Sequence, residues 1–193
     1  YYRLLPEQPL LCPIGRLDKD TSGLILIAKN KYAAQQLERQ RANHTLSRVY
    51  LALAEGHWTN QSKSGLIDRP IEKVPECFNR YQVADTGRPS RTEYEVLSEF
   101  TYEETPFSLV RLKLQTGRTH QIRVHMASLS HPLLGDSIYG HEGFLGFDRA
   151  ALHSFEITCQ LPGHQDLAVF SSEMPEDFQK MIAKSINFSS TLI

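Results

Sequence analysis

The chain has 193 residues, a formal charge of −1 and a 40% hydrophobic composition, enough for one domain with its own core and too apolar for a disordered chain. No apolar run approaches the roughly 20 residues of a membrane-spanning helix, and the opening YYRLLPEQPLLCP has no signal-peptide core. Three cysteines, Cys12, Cys77 and Cys159, stand far apart without a CxxC pair; they read as reduced, mostly buried thiols of a cytoplasmic protein and exclude a disulfide-built secreted module.

Tyr1–Cys12 has no periodicity of its own and a motif follows at once, so the sequence reads as starting inside its domain. After the polar loop Gly15–Gly23, the run Leu24-Ile25-Leu26-Ile27-Ala28 predicts a buried strand. Lys31–Arg41 predicts a short helix with Ala34 and Leu37 inward, and Ser47–Ala54 a second strand closed by Glu55-Gly56. Thr59–Ser64 reads as a loop and Ile67–Pro75 as one strand. Gly87–Ser90 reads as a turn joining strands Arg80–Ala84 and Arg91–Leu97. In the latter, Thr92, Tyr94 and Val96 alternate with glutamates, so one face is wet. Phe107–Gln115 repeats the alternation; His120–Ser130 follows as a helix with Ile122, Met126 and Leu129 on one face, stopping before His131-Pro132. Leu152–Gln160 and Leu167–Phe170 predict strands, and Pro175–Lys184 a closing helix. Hairpin-joined strands with few, irregularly placed helices predict an α+β fold with a largely antiparallel sheet, in one domain over residues 1–193.

The near-zero net charge hides a segregation. From Gly15 to Tyr50 seven basic residues face three acids, and between Arg111 and His125 stand Arg111, Lys113, Arg118 and Arg123 with no acid. The acids gather at Glu93–Glu104 and Glu173–Asp177. Two basic stretches brought together would make one positive face suited to nucleic acid.

Three segments carry chemistry. Gly15-Arg16-Leu17-Asp18-Lys19-Asp20-Thr21-Ser22-Gly23 puts two carboxylates in a loop of Arg, Lys, Thr and Ser; such a loop suits either a satisfied turn or a reactive carboxylate. Leu114–His125 crowds Arg118, His120, Gln121, Arg123 and His125 at a helix start; Arg123, turned about 100° from Ile122, reads either as pointing along the core's edge toward an active-site carboxylate or as one more solvated helical arginine. Arg48-Val49-Tyr50 sets a tyrosine beside an arginine, either core packing or a platform for a base. A zinc site on His120, His125, His131 and His153 is a further reading, without the Glu of HExxH or a partnered Cys.

Together these segments resemble the RluA-type pseudouridine synthases. GRLDKDTSGLILIAK is similar to that family's aspartate motif, RVYLALAEG to its tyrosine strand, LQTGRTHQIRVHMASLSHPLLGDSIYG to its third motif, and Ala151-Leu152-His153-Ser154 to a later segment. The resemblance runs from about Pro13 to Glu156 and implies the pseudouridine synthase fold, a mixed, largely antiparallel sheet flanked by helices and loops. It implies isomerisation of uridines in structured RNA, ribosomal or transfer RNA, with the target base flipped and with no metal and no cofactor. It implies Asp18 as nucleophile, Tyr50 stacked on the uracil, and Arg123 paired with Asp18; Asp20 falls at a variable position. Arg16, Thr21, Arg48, Arg118, His120 and Gln121 would bind the substrate. Gly15 stands where most of the family has His, and the strand that usually precedes the motif, with an optional RNA-binding module, is not seen. A monomer in the cytoplasm is the expectation. The rival reading is a silent RNA-binding module of the same fold.

Overall fold

The computed structural model describes residues 11–59 and 61–191; the reading of Tyr1–Cys12 falls almost wholly outside them. The frame is a seven-stranded sheet in the order β11-β10-β4-β9-β8-β5. These are β4 (Ser47–Glu55), β5 (Ser64–Asp68), β8 (Arg91–Tyr102), β9 (Thr105–Leu114), β10 (Leu152–Gln160) and β11 (Leu167–Ser171). All these pairs are antiparallel; the seventh strand, β2 (Ser22–Gly23), pairs parallel with β10. The sheet is therefore mixed and largely antiparallel, as the strand pattern predicts.

β4 sits at the centre because its side chains are apolar in both directions. Tyr50, Ala52 and Ala54 face a core with Val110, Leu112, Ile122 and Met126, which seats helix α2 (Gln121–Ser128). Leu51 and Leu53 face the opposite core with Phe107, Phe178 and Met181, which seats α3 (Glu176–Thr191). A period of two puts alternate residues on opposite faces, so one strand nucleates both layers. A third cluster joins Leu37 of α1 (Lys31–Ala42) to Ile14, Ala28 and Ile157.

Several expected elements differ. The run 24–28 is not one buried strand: β2 ends at Gly23, β3 (Leu26–Ala28) pairs instead with β1 (Cys12–Ile14), and Ile25 and Ile27 are each 45% exposed. The chain changes sheets between Gly23 and Leu26, which a continuous apolar run does not reveal. The strand expected over 67–75 is broken at Arg69-Pro70, because proline has no N–H for a ladder; β6 (Ile71–Lys73) forms a separate ribbon with β7 (Tyr81–Val83). The turn at Gly87 consequently links two sheets rather than closing a hairpin. β8 runs on to Tyr102, and α3 continues past Lys184. Cys159 is buried and Cys12 partly so, but Cys77 is exposed, against the expectation for the thiols; all three are free. Among the described residues no helix is long and apolar enough to cross a membrane.

Candidate active site

A cavity of about 260 Å³ opens where the β1–β2 loop, the head of β4 and the start of α2 converge. Arg16, Asp18, Thr21, Arg41, Arg48, Tyr50, Arg118 and Gln121 line it, so all three chemistry-bearing segments meet there, and Asp18 is its single acid among the described lining residues.

The Asp18 loop is held from below. Thr21 N–H donates to the Asp18 carbonyl at 3.0 Å, closing the turn. Ser22 and Gly23 then lie against His153 and Ser154 of β10, with Leu24 N–H donating to the Ser154 carbonyl at 2.9 Å. A Cβ at Gly23 would stand 2.2 Å from the Ser154 carbonyl oxygen, which explains the glycine in this motif. His153 Nδ1 bonds Ser22 Oγ and its Nε2 bonds Ser172 Oγ, each at 2.8 Å. Arg149, ion-paired to Asp177 of α3, donates to the Asp20 carbonyl at 3.2 Å. The Asp18 carboxylate itself is half-buried and makes no side-chain hydrogen bond or ion pair among the described residues, while Asp20 is exposed and off the cavity.

Tyr50 is 4% exposed at the cavity floor. Burial pushes its hydroxyl pKa up, against the pull of the Arg48 guanidinium, and the Asp18 charge adds to the rise. Arg48 fits because Gly15 and Gly117 leave room: its Nη1 and Nη2 lie 3.0 and 3.1 Å from where their Cβ atoms would be. Gly15 also has φ +80°. Gly15→Ala is therefore expected to lower stability by about 1–2 kcal/mol through the left-handed backbone and to displace Arg48. Thermal denaturation checks the first effect, and an unchanged midpoint would refute it.

Arg123 does not take the partner expected of it. It is held by Asp136, not Asp18: Nε and Nη2 donate to the two Asp136 oxygens at 2.6 Å each, in a fork-on-fork pair. Asp136 is fully buried and also accepts from Ile138 N–H and Tyr139 N–H. The Tyr139 ring lies 5.1 Å from the Arg123 guanidinium. Burial opposes the Arg123 charge, but the Asp136 bonds outweigh it and raise the pKa, with a smaller contribution from Asp18. Asp18 is thus within the electrostatic reach of Arg123 without touching it, and Arg123 lies behind the cavity wall rather than in it. Asp136 and Tyr139 were missed in the sequence although both stand in the third motif's tail, GDSIYG; a short polar pair after His-Pro looks like an ordinary turn.

His120 caps α2 with φ +54°, and its Nδ1 bonds the Tyr139 hydroxyl at 2.9 Å. That hydroxyl also accepts from Tyr81 N–H, and burial drives its pKa to about 12. Gln121 lines the cavity, but its amide is fully engaged: Oε1 accepts from Thr116 Oγ1 and Arg118 N–H, and Nε2 donates to the Arg91 carbonyl and to Thr92 Oγ1. It has no hydrogen left for a ligand and instead ties the Gly117-Arg118 loop to β8. Arg118, exposed on the rim, donates through Nε to the Pro89 carbonyl.

The four histidines of the zinc reading go to four different places. His125 bonds Thr92 and the Arg69 carbonyl, and His131 bonds the Glu55 carbonyl and stacks on Trp58. Among the described residues no group of three His, Cys, Asp or Glu is placed to hold a metal ion. Burial lowers the pKa of His120, His125 and His153. Unfolded histidines take up protons below about pH 6.5, whereas these resist until lower pH, so acid favours the unfolded state. Stability is expected to fall as pH drops through that value, by at most about 1.4 kcal/mol per pH unit for each histidine. Denaturant midpoints from neutral to mildly acidic pH check this, and a flat profile would contradict it.

Residues 1–128 match the family model described as RNA pseudouridylate synthase. The chain is 37% identical over 186 residues to "Ribosomal large subunit pseudouridine synthase D" of Nitrosomonas europaea, covering 92% of this chain and 52% of that protein. It is 39% identical over 181 residues to "Uncharacterized RNA pseudouridine synthase YhcT" of Bacillus subtilis, covering 94% and 58%. It spans about half the length of these curated relatives. Human RNA Pseudouridylate Synthase Domain Containing 1 superposes with a TM-score of 0.72 at 31% identity, over 89% of this chain and 71% of that one. The fold recurs in the human Domain Containing 4 protein, with a TM-score of 0.70 at 21% identity. By the family match and these likenesses, the chain belongs to the RNA pseudouridylate synthase family.

Proposed function

We propose that this chain is the catalytic unit of an enzyme that isomerises uridine to pseudouridine in structured RNA. The carrying observation is the cavity's charge pattern: Asp18 alone among cations, over a buried tyrosine. A carboxylate with no side-chain hydrogen bond among the described residues is free to act as a nucleophile, and an open-mouthed pocket of about 260 Å³ admits one extruded base. Asp18 opens the reaction on the target nucleotide. The N1–C1′ bond breaks with its electron pair left on N1, the uracil turns while stacked on Tyr50, C5 bonds to C1′, the C5 proton leaves, and N1 takes up a proton, so the product is an isomer of the substrate. Arg123, aimed by Asp136, places a fixed guanidinium behind the cavity wall, within electrostatic reach of Asp18. Arg16 and Arg118 hold phosphates at the rim, Thr21 shapes the wall, His120 acts from behind it through Tyr139, and Gln121 acts by positioning the Arg118 loop.

Ribosomal RNA is the first substrate to try, since the Nitrosomonas relative bears a large-subunit ribosomal name; transfer RNA is the second. The reading carries with it a monomer working in the cytoplasm, without metal or cofactor. The test uses ribosomal and transfer RNA transcripts carrying tritium at uridine C5, since bonding C5 to C1′ expels that hydrogen. Tritium release from one of them is expected. Tight binding without release from either would favour a silent RNA-binding module instead.

A further inference from the structure

Beside the catalytic cavity lies a second groove, of about 690 Å³, between the end of α1, the head of β4 and the adjoining ends of β8 and β9. Its walls carry Arg41, Arg48, Arg91, Lys113 and Arg118 against a single acid, Glu93. Glu93 already accepts from the Gln115 amide at 2.7 Å. Arg41 and Arg91 have exposed carboxylate partners, Glu38 and Asp68, whereas Arg48, Lys113 and Arg118 form no ion pair among the described residues. Here the two basic stretches of the sequence meet: Arg41 and Arg48 come from the first, Lys113 and Arg118 from the second. Exposed ion pairs are weak, so Arg41 and Arg91 can exchange their partners for a stronger anion. The groove is continuous with the catalytic cavity, sharing Arg41, Arg48, Gly117 and Arg118 with it.

We infer that this groove binds the phosphodiester backbone of the RNA on one side of the extruded uridine, with Lys113 and Arg91 as phosphate ligands. The inference rests on the isomerase reading for the identity of the nucleotide in the cavity. A nucleotide seated there is part of a chain, and its backbone must leave over the rim. The shared wall built by Arg48 and Arg118 opens directly onto these cations, which outnumber the groove's one acid, and Arg48, Lys113 and Arg118 keep their charge unpaired among the described residues. A third depression on the far side of Arg118 carries Lys73 and Arg88 with Glu72, a smaller excess of charge. Lys113 and Arg91 line the second groove and not the catalytic cavity, so they separate binding from chemistry.

The experiment measures anisotropy of a fluorescent ribosomal RNA transcript, over a series of salt concentrations, with the full chain and with Lys113→Ala, Arg91→Ala and the double variant. Lys180→Ala, on α3 and paired to Glu176, controls for loss of charge alone. Each groove variant is expected to weaken binding several-fold and to lower the log–log salt slope by about one, while the control does neither. In tritium release the loss falls on KM and leaves kcat at saturating RNA in place. Affinity and slope unchanged in the groove variants, or shifted equally in the control, would overturn the proposal; so would a fall in kcat with Kd retained. If the groove variants lose affinity while the unaltered chain releases no tritium, the groove stands and the isomerase reading falls.

Discussion

Asp18→Asn is expected to leave a folded protein that binds RNA and releases no tritium, a loss of about four orders of magnitude or more in kcat. The substitution keeps the shape of the side chain and removes the charge that makes it a nucleophile. Its specificity as a test comes from the surroundings. The Asp18 carboxylate is half-buried and makes no side-chain hydrogen bond or ion pair among the described residues, and the loop that carries it is fixed through backbone and neighbouring groups: the Thr21 N–H, Ser22 on His153, Gly23 on Ser154. Stability should therefore stay within about 0.5 kcal/mol of the unaltered chain. Asp20→Asn, two residues on and exposed, should change neither property. Tritium release, RNA anisotropy and thermal denaturation on the three proteins settle it. Retained release by Asp18→Asn would remove the nucleophile from the mechanism, and equal losses in both variants would point to the loop's charge rather than to one carboxylate.

How far the sequence carried this picture depends on which physical signal each feature leaves. β4 and β10 were legible because β4 is buried on both faces and β10 on both at its start, and turn chemistry bounds them. α1 was legible from its single inward stripe through Leu37, with Asn30 accepting from Ala33 N–H as its cap. The segment 24–28 has the same apolar character as a core strand, yet two of its side chains are exposed, because pairing partners are chosen at long range and leave no mark in composition. The convergence of Asp18, Tyr50, Arg48 and Arg118 was foreshadowed only by the order of motifs; no periodicity links positions so far apart in the chain. Arg123 shows the limit most clearly. Its place on α2 pointed to a carboxylate, and one is there, but helical geometry could not choose between Asp18 and Asp136. Burial decides: a fully enclosed carboxylate needs a cation, and a half-exposed one does not.

That choice makes Asp136 a sensitive polar position, fully buried and paired to a buried cation. Its two oxygens receive four hydrogen bonds, from Arg123 Nε and Nη2 and from the N–H groups of Ile138 and Tyr139. Asp136→Asn is not conservative here. The new amide N–H group would face guanidinium N–H groups, and Arg123, with a side chain only 10% exposed, would become a buried cation without a counterion. The expected destabilisation is about 3–5 kcal/mol, read from denaturant midpoints. Tritium release should also fall at temperatures where the variant remains folded, because Arg123 loses the fork that aims it and Asp18 is the next carboxylate within its field. Adding Arg123→Met should restore part of the stability, since removing both charges leaves no orphan, while activity stays low. Strictly additive losses in the double variant would mean that the pair carries no coupling. Lost activity at unchanged stability would instead mean that Asp136 acts on the substrate itself, rather than as the residue that holds Arg123 in place.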